Sequence, residues 1–376
     1  MKKVTVLILT ILCAFIITGC FPDGENKSNA SIENSEFNSE EIPKTINETL
    51  EENLIVDADV IIPTVADWKI IETKLKIWDN KLVENAFLKD KTINEKQEKD
   101  SAINKELKDY YYAMKDGSSL VIGPGNVRFY EKKGMDLPYS FFIRGGTPFL
   151  DEDIGEKFKK ESLDNVNKDQ SIELVKDKLK NLGVETIGEP SVHAMDMETL
   201  NNNTNFNATP VKGEIHRWEK NEEAYVISFY IQNNSVPITQ IGYMTASGFG
   251  IGTRIIAVVG ERGLLSFELL YAYEPESVVE DNSKIIPLDV VFNTIKEKYK
   301  NVLLTDPITI NEIRLEYFPI VLDFANLKYK LTPMWVFKAN QKTTAEDKKG
   351  QREINSNFYI LIDAVTGKEL EIGGIT

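Results

Sequence analysis

The chain has 376 residues, 42% of them hydrophobic, with 44 Lys and Arg against 59 Asp and Glu for a formal charge of −15. That apolar share supports a proper core without a disulfide or metal to hold it. The acidic balance repels phosphate backbones and anionic head groups, which argues against a nucleic-acid partner.

At the N-terminus, Lys2 and Lys3 precede an apolar run from Val4 to Ile17 that is short for a bilayer span, and small residues follow at once, as at a secretory cleavage site. Ile17-Thr18-Gly19-Cys20 resembles a bacterial lipobox, in which an aliphatic residue and two small ones precede the cysteine that becomes the lipid-modified first residue. The competing reading is an uncleaved N-terminal anchor helix. On the lipobox reading, residues 1–19 are the signal peptide and Cys20 carries the lipid. Loss of Lys2 and Lys3 then takes the formal charge to −17, so attachment to the membrane comes from acyl chains. Cys13 leaves with the signal, so the mature chain has no free thiol, disulfide or cysteine metal ligand.

Residues 20–55 are rich in Asn, Ser and Glu and read as a flexible polar tether. A first α+β module is expected over 56–160. Within it, Trp68–Trp78 ends in strand-like alternation, a short helix covers Lys81–Leu88, and Asp116-Gly117 turns a hairpin between 110–114 and 119–122. A third strand follows at Val127–Glu131.

A second module, 161–280, opens with a helix capped by Asn167 or Asp169, with Ile172, Val175, Leu179 and Leu182 on one face and Gly183 at its end. Strands are expected at Gly213–Trp218, Ala224–Ile231, Gly252–Val259 and Leu264–Tyr273, after an Asn-rich loop at 201–207. A third module, 281–376, repeats the order. Pro287-Leu288 starts a helix through Val291, Ile295 and Tyr299, and strands follow at Thr309–Tyr317, Lys328–Ala339, Asn357–Asp363 and Lys368–Ile372. The fold class is therefore α+β, with tandem helix-plus-antiparallel-sheet modules after a signal peptide and tether.

Candidate chemistry is sparse. His193 and His216 have no partner at metal-ligand spacing. Ser247 lies in a glycine-rich turn rather than a nucleophile elbow. Gly248-Phe249-Gly250-Ile251-Gly252 superficially suggests a nucleotide loop, but the β-branched run after it fits a hairpin or bulge, because a phosphate site wants a helix N-terminus there. Asp151-Glu152-Asp153 reads as solvated loop, with weak calcium binding as its functional alternative. Trp335, with Tyr317 and Phe318, is dense enough to build a core or line an apolar groove. No catalytic residue, metal or cofactor is expected.

Leu331-Thr332-Pro333-Met334-Trp335-Val336-Phe337, followed by Tyr359–Asp363 and Ala364-Val365-Thr366-Gly367, resembles the closing strands of PepSY-like units. The first block also resembles the C-terminal parts of YycH/YycI-type extracytoplasmic regulators of a cell-wall two-component system. The signature residues are Trp335, Asp363, Thr366 and Gly367. Asp363 can accept from the turn's amides, and Gly367 can take positive φ. The resemblance spans 285–376 and loosely 167–275. It implies a non-catalytic binding or regulatory role outside the membrane of a Gram-positive cell. Those regulators carry an N-terminal transmembrane helix where this chain has a lipobox, which puts their sensor-kinase contact in doubt here.

The expected protein is thus a lipid-anchored lipoprotein on the extracytoplasmic face that binds or regulates another envelope protein, a sensor or a secreted enzyme. Its rivals are a cell-envelope hydrolase using two carboxylates and a solute-binding lipoprotein of a transporter.

Overall fold

The computed structural model describes residues 37–65, 67–132, 155, 157–202, 216–245, 248–300, 302, 304–347, 350–370 and 374–375. The signal peptide, Cys20, Asp151–Asp153, Ser247 and the start of the strand expected at Gly213 lie outside them.

Leu50, Leu54, Val56 and Ala58 are buried on two antiparallel strands, β1 (Thr45–Glu51) and β2 (Leu54–Ile61). Asn53, at φ 63°, turns the chain between them. The tether expected over 20–55 is therefore wrong for residues 45–55. Their few apolar side chains suffice because they pack against distant strands rather than each other.

Strand β3 (Ile70–Leu75) ends earlier than the sequence suggests, and Trp78 belongs to the turn into helix α1 (Asn80–Leu88), whose first amides Asp79 caps by accepting from Lys81 N at 2.8 Å. Strands β4 (Ile93–Asp100), β5 (Lys108–Met114), β6 (Ser119–Gly123) and β7 (Asn126–Tyr130) form an antiparallel meander. Gly117, at φ 85°, makes the expected β5–β6 turn.

Helix α2 (Lys168–Asn181) starts at Asn167, whose side chain accepts from Gln170 N at 2.9 Å, and gives way to Gly183 at φ 69°. Strand β8 (Ser191–Met195) and helix α3 (Met197–Asn202) follow. Residues 216–218, expected in a strand, are irregular instead. Asn201 holds them, accepting from Trp218 N at 2.9 Å and donating to Trp218 O at 3.0 Å.

Strand β9 (Ala224–Phe229) leads into two short pairs, β10 (Gln232–Asn233) with β11 (Val236–Pro237), and β12 (Gly242–Thr245) with β13 (Gly248–Ile251). The glycine-rich segment is thus the expected hairpin. Then come β14 (Arg254–Gly260), β15 (Gly263–Leu270), β16 (Tyr273–Glu280) and helix α4 (Leu288–Tyr299), which Pro287 opens. Long strands β17 (Ile308–Asp323), β18 (Lys328–Asp347) and β19 (Gly350–Asp363) close the fold, with β20 (Gly374–Ile375) beside β12. At the expected Lys368–Ile372 strand, the described part makes a single bridge, Glu369 to Ile362.

The sheets do not follow the three expected modules. One runs β1-β2-β17-β18-β3-β16 with β19 on β18, and the other runs β4-β5-β6-β7-β15-β14-β9-β8. The segment 56–160 thus contributes to both, and 161–280 is split between them as well. The pairings β7 with β15 and β2 with β17 cross the expected boundaries. Phe37–Thr376 forms one compact unit. The protein is a mixed α and β fold, mostly antiparallel sheet, with β2–β17 the parallel pairing between described strands.

Each large sheet buries one face under helices. The first packs Ile310, Leu315, Trp335 and Phe337 against Leu288, Val291 and Ile295 of α4. The second packs Phe129, Ile227 and Phe267 against Phe87 of α1 and Val175 and Leu179 of α2. Each fully buried side chain of this size contributes about 1.5–3 kcal/mol.

Gly252 marks a tight crossing at the base of the β12–β13 hairpin. A Cβ there would sit 2.2 Å from Thr239 O and 2.6 Å from Gln240 C. Gly252→Ala is expected to destabilise the chain by about 1–3 kcal/mol through overpacking, read as a lower urea midpoint at unchanged slope.

Candidate functional site

Strand β17 is bulged between Ile310 and Glu312, which switches the parity of its buried positions. Ile308 and Ile310 before the bulge, and Ile313, Leu315 and Tyr317 after it, all enter the α4-side core. Glu312, Arg314 and Glu316 therefore share the opposite face. Lys338 on β18 lies opposite Glu312, with Tyr359 of β19 beside it.

That face is polar and partly enclosed, with Glu316 and Lys338 buried and Glu312 and Arg314 half-buried. Arg314 grips Glu312 through two bonds, Nε to Oε1 at 2.6 Å and Nη2 to Oε2 at 2.9 Å, and its Nη1 donates to the Tyr230 hydroxyl at 2.7 Å. Burial opposes the Arg314 charge, but Tyr230, Glu312 and Glu316 outweigh it and hold the guanidinium protonated. Glu316 is 3% exposed. Burial pushes its carboxyl up to about 7, against a downward pull from Arg314 and the Thr239 hydroxyl and an upward push from Glu312. Burial also lowers Lys338, and raises Tyr359 with help from Tyr230, Glu312 and Glu316 against Arg314.

A strap, residues 236–241, runs along this edge, with Val236 and Ile238 in the α4-side core and Thr239 and Ile241 on the polar face. Beyond Arg314, where β2 ends, Ile238 bridges Tyr317 and Thr239 N donates to Tyr317 O at 2.8 Å. Ile241 then packs on Phe318, Met334, Val336 and Leu361, and Gln240 Nε2 donates to Phe229 O at 3.3 Å. Sequence reasoning missed this site, because Glu312-x-Arg314-x-Glu316 looks like the solvated face of a strand.

The signature residues form a folded element of their own. Trp335 is fully buried, its indole Nε1 donates to Ile286 O at 3.0 Å, and Phe37 meets it edge-on with centroids 6.0 Å apart. Asp363 Oδ1 accepts from Val365 N at 2.9 Å and Thr366 N at 2.7 Å, and Gly367, at φ 72°, donates to Asp363 O at 2.9 Å. Trp335 and the turn are brought together with α4, and the polar cluster lies on the reverse face of the same strands.

The histidines lie apart from both. His193 Nε2 is 3.1 Å from Ser191 Oγ on β8, and His216 Nε2 is 2.9 Å from Glu222 Oε2. Among the described residues, no three His, Cys, Asp or Glu side chains are placed to hold a metal ion. Glu312 and Glu316 come from one strand, about 13 Å apart along it, rather than facing each other across a cleft as glycosidic cleavage requires. An open depression of about 480 Å³ lies beside the start of α2, lined by Asn165, Asn167, Gln170 and Glu261. Among the described residues, no helix is long and apolar enough to cross a membrane.

No protein-family model matches the chain, and none of the curated proteins does. Among solved structures, the chain resembles the crystal structure of an uncharacterized protein from Eubacterium rectale ATCC 33656. The TM-score is 0.67 at 15% identity, covering 88% of this chain and 94% of that one. This likeness defines a class by fold alone, a mixed α and β protein dominated by two large antiparallel sheets.

Two outcomes follow from the geometry. Trp335→Phe keeps an aromatic side chain but strands Ile286 O and leaves part of the indole's space empty, so a loss of at least about 1–3 kcal/mol is expected in chemical denaturation. Glu316 binds its proton more tightly folded than unfolded, with a carboxyl near 7 against an ordinary 4.5. Its contribution is therefore fully present below pH 4.5 and drains away as pH rises to 7, on the order of 3 kcal/mol in total. Glu316→Gln is expected to flatten that part of the pH–stability curve and to be the more stable form at pH 8.

Proposed function

We propose that the chain is a bacterial lipoprotein held through Cys20 on the extracytoplasmic face of the cell membrane, where it binds or regulates another envelope protein without catalysing a reaction. The observation that carries this reading is Lys2-Lys3, the apolar run and Ile17-Thr18-Gly19-Cys20 in succession. Phe37, where the compact unit begins, is 17 residues beyond Cys20. Chain geometry limits that separation to roughly 60 Å, so the sheets work close to the bilayer.

The tandem arrangement is read in the same spirit. In each half one helix, α2 or α4, precedes a run of antiparallel strands and packs on them, which supports descent from a duplicated helix-plus-sheet unit. The Trp335 strand and the Asp363–Gly367 turn support kinship with PepSY-like and YycH/YycI-type units, whose role is to bind and regulate.

Metabolic labelling with palmitate, followed by membrane fractionation, tests the anchor. The wild-type chain is expected to carry label and sediment with membranes, and Cys20→Ser to lose both. Crosslinking on intact cells tests the role, with a defined envelope protein expected in the captured material. An unlabelled chain starting at Met1 in the cytosol would end the reading.

A further inference from the structure

We infer that residues 239–241 of the strap are a pH-sensitive closure over the β17–β19 face, seated while Glu316 is uncharged and loosened when Glu316 ionises.

The geometry supplies both the need for a neutral group and the means of release. Arg314 is committed to Glu312 through two bonds, so its charge is already balanced. Lys338 stands across from Glu312, whereas the cross-strand neighbour of Glu316 is Met334. Tyr359 and Tyr230 offer neutral hydroxyls to the same region, and from the strap Thr239 offers its hydroxyl to Glu316 and Gln240 an amide to Phe229. Among the described residues, an ionised Glu316 therefore finds one polar side chain on the strap and no uncommitted cation. An ionised carboxylate in that position recovers its solvation only if water is admitted.

Release is local because Val236 and Ile238, buried in the α4-side core, anchor the start of the strap and leave residues 239–241 to move. The strap extends the β17 edge by the Ile238 bridge and the Thr239 to Tyr317 bond, with Ile238 N donating to Ile231 O at 2.8 Å. At its far end Gly252 N donates to Ile241 O at 2.9 Å, where the chain crosses itself. Lifting 239–241 breaks the Thr239–Tyr317 and Gly252–Ile241 bonds and leaves the β17–β18 ladder intact. It also uncovers Ile241's apolar neighbours Phe318 and Leu361. The closure concerns this site alone and stands independently of the lipid anchor and of any partner.

Hydrogen exchange of the full chain, read by residue and corrected for intrinsic exchange, tests it. Protection of the Thr239, Ile241 and Gly252 amides is expected to fall by about tenfold per pH unit between pH 5 and 7 and to level off above. Val258 and Phe267 in the second sheet keep theirs. Glu316→Gln is expected to abolish the pH response. In Thr239→Val, where the hydroxyl that favours the ionised carboxyl is gone, levelling-off moves to higher pH. A uniform loss of protection across both sheets, the wild-type response retained in Glu316→Gln, or an unmoved profile in Thr239→Val would each overturn the inference.

Discussion

The register of β17 on β18 is the constraint on which the rest depends. Ile313 faces Phe337, Leu315 faces Trp335 and Tyr317 faces Pro333, which sends one row of side chains to α4 and the other to the strap. Because strand side chains alternate, a slip of one residue would drive Glu312, Arg314 and Glu316 into the core. The bulge after Ile310 is what reconciles two apolar runs of opposite parity on one strand. These two strands also seed the remaining pairings, with β2 on the outer side of β17 and β3 and β19 on β18.

Local signals were legible and distant ones were not. Asn167 as a cap, Gly117 and Gly183 as turn formers, and Asp363 with Gly367 at the last turn each act within a few residues, so sequence spacing reveals them, whereas the Asp79 cap was hidden in what read as the end of a strand. Strands β1 and β2 hid in a polar stretch because the partner of Leu54 is Ile308, far along the chain. Strand β4 hid for a different reason. Its eight residues are all exposed, so no alternation of apolar and polar side chains marks it. The expected module boundaries failed because sheet partners were assumed to be neighbours in sequence.

The candidate site shows the same division. The alternation Glu312, Arg314, Glu316 is visible, and solvation is its ordinary explanation. What makes it unusual is the cover supplied by residues about 75 positions earlier, and nothing in the local pattern of β17 announces that. The signature at Trp335 is the opposite case. A large aromatic in a dense apolar run offers a core or a groove, and here the tryptophan, two residues after a proline inside β18, is sealed between Phe37 and Ile286.

The parallel pairing of β2 with β17 has a consequence for how the molecule comes into being. During synthesis the β1–β2 pair has no partner for the other edge of β2 until β17 has emerged. That edge of β2 stays unpaired in the interval, so the step that completes the first sheet is a long-range closure of the kind that slows assembly. The second sheet, whose strands all precede β17, has every partner earlier, and the first is finished only when β17 to β19 arrive.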